Sequence, residues 1–384
     1  MTLRRLSCSP AAPPLEDDNL LAEILLRLPP LPSSLPRASA VSRRWRSLAS
    51  DPRFSRRFRA HHRRNPPHLG CFVNDFRNVL FQPALEAPNR IPPCRFALPI
   101  DQDDHFSLLG CRHGLVLILH LSRNQLLVWE PVTGDQYRLD IPPGSGDMFS
   151  AAVIRAAGDG RYFQVVLLGT NDMHLACASV YSSETGSWGD LTTTPLPPRD
   201  SIDEATCVYP DMPAVMVGDS LYWVVIGRPF GILEFDLGVG RPCIIPMPED
   251  INAEEIHDMW LIRAEGGGLG VLLVSGFSLQ LWKRQTNCDG VASWVLGRTT
   301  ALDKLLPIDS DDEQIPFILG YAEDNNAVFV WTSIGVFMVW LESLRFQKFF
   351  ESEYWFRYYP FEGVYTADKG MDGQHNGAEL LQNT

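Results

Sequence analysis

The stretch LVLILHLSRNQLLVWEPVTGDQY, residues 115–137, holds two short apolar runs, a polar turn between them and a second turn that contains Gly134. Runs of this length, rich in Leu and Val and bounded by Asn, Gly and Asp, are typical of two β-strands joined as a hairpin. The pattern recurs in FQVVLLGTNDMHLACASVY, LYWVVIGRPFGILEFD, LGVLLVSGFSLQLWKR and AVFVWTSIGVFMVWLE, and in a shorter candidate, GCFVNDFRNVLFQP.

The turn glycines recur at a nearly constant spacing. Gly134, Gly186, Gly240 and Gly290 lie 52, 54 and 50 residues apart, and the next equivalent position, Arg345, lacks the glycine. A period near 50 with strand hairpins is that of kelch-like propeller blades. Residues 66–362 therefore predict a mainly β fold, a kelch-like β-propeller of about six blades. A β-sandwich array and an irregular β-solenoid are the alternatives.

The segment LEDDNLLAEILLRLPP, residues 15–30, has a helical period instead. Its apolar stripe comprises Leu20, Leu21, Ile24, Leu25 and Leu28, while Leu15 and Leu26 lie off the stripe. After three prolines, a second helical run contains Leu35, Ala38, Val41, Trp45 and Leu48, and Asp51-Pro52 ends it. The region predicts three short helices. So small a module cannot bury all these side chains alone, so they pack on the C-terminal domain or on another protein.

The two regions also differ in charge. Residues 1–64 contain 13 Arg, no Lys and 5 acidic residues, a net charge of +8, whereas the remainder has 20 basic and 41 acidic residues. A split this sharp indicates a domain boundary. Thirteen arginines in so short a region also suggest binding to nucleic acid. However, no motif that recognises bases accompanies them, and the acidic remainder of the chain repels phosphate, so we expect no nucleic-acid partner.

The N-terminal segment resembles an F-box of the form common in plant proteins, especially those of grasses. The resemblance covers about 40 residues. It rests on Leu15, Asp17-Asp18, Leu20-Leu21, Ile24-Leu25, Arg27-Leu28-Pro29, Leu35, Arg37, Val41, Arg43 or Arg44, Trp45-Arg46 and Leu48. Glu16 replaces the proline of the motif, and Ser42 replaces its frequent cysteine. The chain from about residue 66 resembles the propeller-like region that follows the box in many plant F-box proteins.

The resemblance implies docking on a Skp-type adaptor and, through it, on a cullin scaffold in an SCF-type E3 ubiquitin ligase. The β-domain would bind an unknown target protein. The residues implied in adaptor binding, or in the packing behind it, are Leu15, Leu20, Ile24, Leu28, Pro29, Leu35, Val41, Ser42 and Trp45. The alternatives are a binding or scaffold protein that promotes no ubiquitination and a propeller-fold enzyme.

The predicted organisation follows. Residues 1–14 form a disordered tail, 15–64 the helical F-box, 65–362 the propeller-like domain and 363–384 a second disordered tail. The eight cysteines are scattered singly, without zinc spacing or a disulfide framework. The start of the chain lacks the apolar run of a signal peptide, and no run of about 18 apolar residues occurs. We therefore expect no membrane association and a location in the nucleus, the cytoplasm or both.

No motif of catalysis or cofactor binding is present. His113, the acidic run 309–314, Cys111 and Cys207 lack the partners that a catalytic or metal site needs, and we expect no enzyme activity, no cofactor and no metal. The tryptophans on predicted strands are expected in the blade cores: Trp129, Trp223, Trp282, Trp331 and Trp340. Candidate target-binding loops are 101–104, 199–204, 249–255 and 309–313; most are acidic and favour a basic partner.

Overall fold

The computed structural model describes residues 17–75, 78–98, 105–146, 148–156, 162–171, 173–196, 206–210, 212–227, 230–309, 314–350 and 356–366. The predicted tail 1–14 and most of the tail 363–384 lie outside these residues. Within this part of the chain, no helix combines the length and hydropathy needed to cross a lipid bilayer.

The N-terminal module has four helices rather than three. They are α1 (Asp18–Leu26), α2 (Ser34–Ser39), α3 (Arg43–Ala49) and α4 (Pro52–His62). The run expected to be one helix divides at Ser42, whose backbone is extended at φ −158° and ψ 165° and whose hydroxyl caps α3. The basic segment after Pro52 is also helical, because Phe54 and Phe58 both face the core. A short helix, α5 (Leu302–Leu305), lies in the β-domain.

The β-domain is a six-bladed propeller, as predicted. Blade 1 comprises β3 (Phe106–Arg112), β4 (Leu115–His120), β5 (Gln125–Glu130) and β6 (Asp135–Asp140). Blade 2 comprises β7 (Met148–Arg155), β8 (Phe163–Thr170) and β9 (Leu175–Ser182), with β10 (Ser187–Trp188) and β11 (Thr192–Pro195) both paired to β9. Blade 3 comprises β12 (Cys207–Val208), β13 (Val215–Val217), β14 (Ser220–Ile226), β15 (Gly231–Asp236) and β16 (Pro242–Pro246).

Blade 4 comprises β17 (Met259–Arg263), β18 (Leu269–Ser275), β19 (Ser278–Thr286) and β20 (Ala292–Ala301). Blade 5 comprises β21 (Phe317–Ala322), β22 (Ala327–Thr332), β23 (Gly335–Trp340) and β24 (Phe346–Phe350). Blade 6 has three described strands, β25 (Tyr358–Glu362), β1 (His68–Asp75) and β2 (Asn78–Pro83). Contacts between successive blades close the ring: β25 contacts β3, β3 contacts β7, β7 contacts β12 of blade 3, β13 of the same blade contacts β17, β17 contacts β21, and β21 contacts β25.

Blade 6 closes the ring by joining the two ends of the domain. The hairpin β1–β2, read from sequence as a short sixth unit, receives its innermost strand from β25, with Phe72 opposite Tyr359. Because β25 is followed in the chain by Val364, this closure also returns the chain to the helical module, where Val364 is 5% exposed.

The turn glycines have the backbone that their spacing implied. Gly134, Gly186, Gly240 and Gly290 all have positive φ, between 70° and 84°. In blade 5 the equivalent residue is Leu344, with φ 52°, and not Arg345 as predicted. The N–H of Leu344 donates to the carbonyl of Trp340, as Gly134 does to Glu130. The repeat is therefore regular, with a leucine in the left-handed region where the other blades have glycine.

The core lies between neighbouring blades. Trp129, Trp223 and Trp282 are buried there, as expected, while Trp331 and Trp340 are partly buried. The blades also define two faces of the propeller. The near face carries the turns between first and second and between third and fourth strands, such as residues 113–114 and 131–134. The far face carries the other turns and the connections between blades.

Candidate functional site

Helix α1 has two apolar sides, and the helical module uses one of them. Asp17 begins the helix by accepting hydrogen bonds from the N–H groups of Asn19 at 2.8 Å and Leu20 at 3.4 Å. Leu21 and Leu25 are fully buried against α4, whereas Leu20 and Ile24 are 48% and 39% exposed. The exposed pair, one helical turn apart, is left for a contact outside the module.

Helix α3 adds a third exposed aliphatic side chain. Val41, just before the helix, is 64% exposed. The Ser42 hydroxyl accepts a hydrogen bond from the N–H of Trp45 at 3.2 Å and begins the helix. Trp45 itself packs half-buried on the module core. The serine that departs from the F-box pattern therefore serves as a helix cap.

The two helices that carry these side chains are in contact. Arg44 of α3 forms an ion pair with Asp18 of α1, with Nε and Oδ1 2.8 Å apart. The pair is exposed and contributes little free energy, but it shows that α1 and α3 lie side by side. We call Leu20, Ile24 and Val41 the outer apolar face.

The remaining predicted adaptor residues lie around this face. Pro29 and Ser42 are exposed, and Leu28 is half-buried against the module core. Leu35 is 7% exposed and belongs to the core, so it supports the face from behind rather than contacting a partner. Leu15 lies outside the described residues. Sequence periodicity placed Leu20 and Leu21 on one stripe and left Leu26 off it, but Leu26 is 3% exposed and packs inside.

Helix α4 mounts the module on the near face of the propeller. Arg59 Nη1 donates to the hydroxyl of Thr366 at 2.6 Å, and Arg63 Nη2 donates to the carbonyl of Arg155, at the end of β7, at 3.2 Å. Val364 packs into the same core as Phe58. The outer apolar face is thus held at a fixed position relative to the blades.

A cleft of about 610 Å³ lies between α4 and the propeller. Its floor holds an ion pair between Arg155 and Glu130, with Nη2 and Oε1 2.6 Å apart. His113 Nδ1 accepts a hydrogen bond from the N–H of Arg155 at 3.1 Å, and burial lowers the pKa of His113 to about 3. The neutral histidine therefore orients the turn after β3, which is a structural role. Its partner, the backbone of Arg155, is 42 residues away in the chain and was not predicted from the sequence.

The centre of the propeller is filled by side chains. Arg112 and Glu323 form a buried ion pair there, with Nε and Oε2 2.9 Å apart. The cavity beside them has a volume of about 30 Å³, room for a water molecule rather than a substrate. Burial raises the pKa of the Cys111 thiol well above its ordinary value and also raises that of Cys207, which disfavours the thiolate a nucleophile needs. The described residues contain no cluster of three or more His, Cys, Asp and Glu side chains placed to hold a metal ion.

Of the predicted target-binding loops, residues 249–255 are described. Glu249, Asp250 and Glu254 are exposed on the far face, while Ile251 is 3% exposed and anchors the loop. The carboxylate of Glu255 accepts from the N–H of Asn252 at 2.9 Å, a capping box that begins a 3₁₀ helix. The loops 101–104 and 199–204 lie outside the described residues, as does 309–313 apart from Asp309.

Two family models match the chain. Residues 18–61 match the F-box-like model. Residues 107–366, more than half of the chain, match the model described as "F-box protein AT5G49610-like, beta-propeller". The chain belongs to this family. It is an F-box protein with a six-bladed propeller, and F-box domains generally bind Skp1-type adaptors.

No curated protein sequence matches the chain. Among solved structures, a protein of unknown function from Bacteroides caccae is 10% identical, with a TM-score of 0.45, and the match covers 77% of this chain and 99% of that one. The WD40 domain of SCAP from fission yeast is 14% identical, with a TM-score of 0.35 and coverage of 65% and 55%. Similarities this weak carry no information about function.

Proposed function

We propose that this F-box protein is the non-catalytic substrate-recognition subunit of an SCF-type E3 ubiquitin ligase. The F-box binds a Skp-type adaptor, the adaptor connects it to a cullin, and the propeller binds the target protein. The observation that carries the proposal is the outer apolar face. Leu20, Ile24 and Val41 are 48%, 39% and 64% exposed on a small helical module whose core side chains, such as Leu21, Leu25 and Phe58, are buried. Exposed apolar side chains grouped on adjoining elements are typical of a protein interface.

The placement of the module supports a division of labour. The F-box sits on the near face through Arg59, Arg63 and Val364, which leaves the far face and the outer blade edges open to a target. The contribution to ubiquitination would be proximity, because holding target and ligase together raises the effective concentration of a target lysine.

The charge of the described far-face loop favours a basic target. Glu249, Asp250 and Glu254 project from residues 249–255 without a neighbouring cation in that segment. Complementary charge speeds encounter and suppresses wrong partners more than it adds affinity. We place the protein in the nucleus, the cytoplasm or both, where ligases of this class act.

The test is assembly from purified components. Full-length protein is mixed with a Skp-type adaptor and a cullin, and the mixture is separated by size-exclusion chromatography. The proposal expects one complex of all three chains. An adaptor complex that excludes the cullin would favour the scaffold alternative, and absence of adaptor binding would refute the proposal.

A further inference from the structure

The outer strand of blade 4 has an unpaired edge. β20 runs for 10 residues and is the longest strand in the described part of the chain. One edge pairs with β19 from Ser278 opposite Ala301 to Thr286 opposite Ala292. Along the other edge, no backbone hydrogen bond joins β20 to a described residue. Every second N–H and carbonyl of the strand therefore points outward without a ladder partner among the described residues.

The same strand exposes aliphatic side chains on both of its faces. Val295 and Leu296 are 43% and 44% exposed, and Val291, in the turn before the strand, is 60% exposed. Residues 292–297, ASWVLG, carry no charge and no proline. An edge that is long, apolar and uncharged readily accepts another strand.

The outer strands of blades 1, 2, 3 and 5 are protected. β6 carries Asp135, Arg138 and Asp140, and β24 is five residues long with Lys348 at its centre. Prolines occur at the end of β11 and at both ends of β16. Charges, prolines and short length are the usual means by which native sheets prevent edge pairing. β20 has two such devices, the charge of Arg298 and a bulge where Gly297 lies unpaired between Leu296 and Arg298, and both leave residues 292–296 regular and uncharged.

We propose that β20 is a docking edge for an extended segment of a partner protein, which adds to blade 4 as a fifth strand. The main-chain edge selects an extended backbone, and Val295 and Leu296 each select an apolar side chain of the added strand, one on either face of the blade. This inference rests on the proposed function in one respect: the partner is the target protein.

The charges around the edge define the partner further. Lys283 and Arg298 share the carboxylate of Glu265, with N–O distances of 3.2 and 3.7 Å. Lys283 is opposite Val295 in the ladder and Arg298 lies on β20 itself, so two cations share one carboxylate beside the regular part of the edge. The added strand is therefore apolar where it meets Val295 and Leu296, with an acidic residue beside Arg298.

The experiment uses the full-length protein without adaptor, so that it is independent of F-box docking. The probe is a fluorescein-labelled peptide, EVTVTVE, and the matched probe has its central valine replaced by proline, which removes a ladder donor. Fluorescence anisotropy measures the Kd of the peptide for wild type, Val295→Lys and the control Gln136→Lys. The control places the same charge at an exposed position of β6, whose charged side chains already prevent edge pairing.

We expect the peptide to bind wild type and Gln136→Lys equally and Val295→Lys at least tenfold more weakly. Equal unfolding midpoints verify that the variants fold. The proline peptide should bind at least tenfold more weakly than EVTVTVE. Hydrogen exchange of residues 292–300 in wild type should slow when the peptide is added, a readout that does not depend on any variant.

Three results would overturn the proposal: equal binding by wild type and Val295→Lys, equal binding of the proline peptide, or unchanged exchange along β20. A fourth result, measured by light scattering, would also overturn it. If the wild-type protein is a dimer and Val295→Lys is a monomer, the edge binds a second copy of this chain instead of a target protein.

Discussion

The carboxylate of Glu362 accepts hydrogen bonds from Asn325, at 2.6 Å from the side-chain amide and at 2.8 Å from the backbone N–H. The same amide also donates to the carbonyl of Pro66 at 3.3 Å. These bonds join β25, the innermost strand of blade 6, to the first turn of blade 5 and to the linker that follows the F-box. A single buried carboxylate therefore holds ring closure and domain attachment together.

The stability of this junction should depend on pH. Burial raises the pKa of Glu362 from 4.5 to about 7, and the nearby Asp324, whose pKa burial raises to about 6, adds repulsion. An acid with a higher pKa in the folded state binds more protons when folded, so its contribution to stability falls as pH rises through this window. We expect the free energy of unfolding to decrease between about pH 4.5 and 7, by on the order of 1–3 kcal/mol from Glu362.

Glu362→Gln tests this directly, because glutamine does not titrate. Urea unfolding at several pH values should show a flatter dependence in this variant. Glu184→Gln, at an exposed turn of blade 2, should retain the wild-type dependence. The same slope in Glu362→Gln and wild type would contradict the assignment.

Leu344 offers a substitution that should stabilise the protein. Its φ of 52° is unfavourable for a leucine and neutral for glycine, which occupies the equivalent turn in the four preceding blades. Leu344→Gly is expected to raise the free energy of unfolding by about 1 kcal/mol. The reciprocal change, Gly240→Ala, has open space around the new Cβ and should cost about the same through the backbone alone. Destabilisation by Leu344→Gly would mean that its side-chain packing outweighs the backbone strain.

Ser42→Ala should weaken the F-box module. The hydroxyl that caps α3 is lost, at a cost of about 1 kcal/mol. Hydrogen exchange of the α3 amides should become faster, while the blades are unaffected. Ser47→Ala, exposed in the middle of the same helix, is the matched control and should leave exchange unchanged or slower. Equal exchange in Ser42→Ala and wild type would show that the cap is not used.

Much of the propeller was predictable because each blade is local. Alternating strands and a glycine turn repeat within about 50 residues, and the six-bladed fold is confirmed. The contacts that close the ring and attach the F-box to the propeller were not predictable. Glu362 and Asn325 are 37 residues apart, and Arg59 and Thr366 are 307 apart, so no sequence period relates them.

The docking surface was predictable in composition but not in detail. The helical period places Leu20, Leu21, Ile24 and Leu25 on one broad stripe. Which members are buried depends on where α4 packs, and the spacing of apolar residues within α1 does not show this. The edge of β20 left a signal in its uncharged run ASWVLG, but identifying it as an outer strand required the pairing of blade 4.

The central claim is that the outer apolar face binds a Skp-type adaptor. Isothermal titration of full-length protein with the adaptor measures it most directly. Ile24→Asp is the better variant, because Ile24 is 39% exposed, whereas Leu28→Asp and Trp45→Ala also disturb the module core. Leu80→Asp, on β2 and 43% exposed, is the control. We expect equal affinity for wild type and Leu80→Asp and at least tenfold weaker binding by Ile24→Asp. Equal affinity in all three proteins would contradict it.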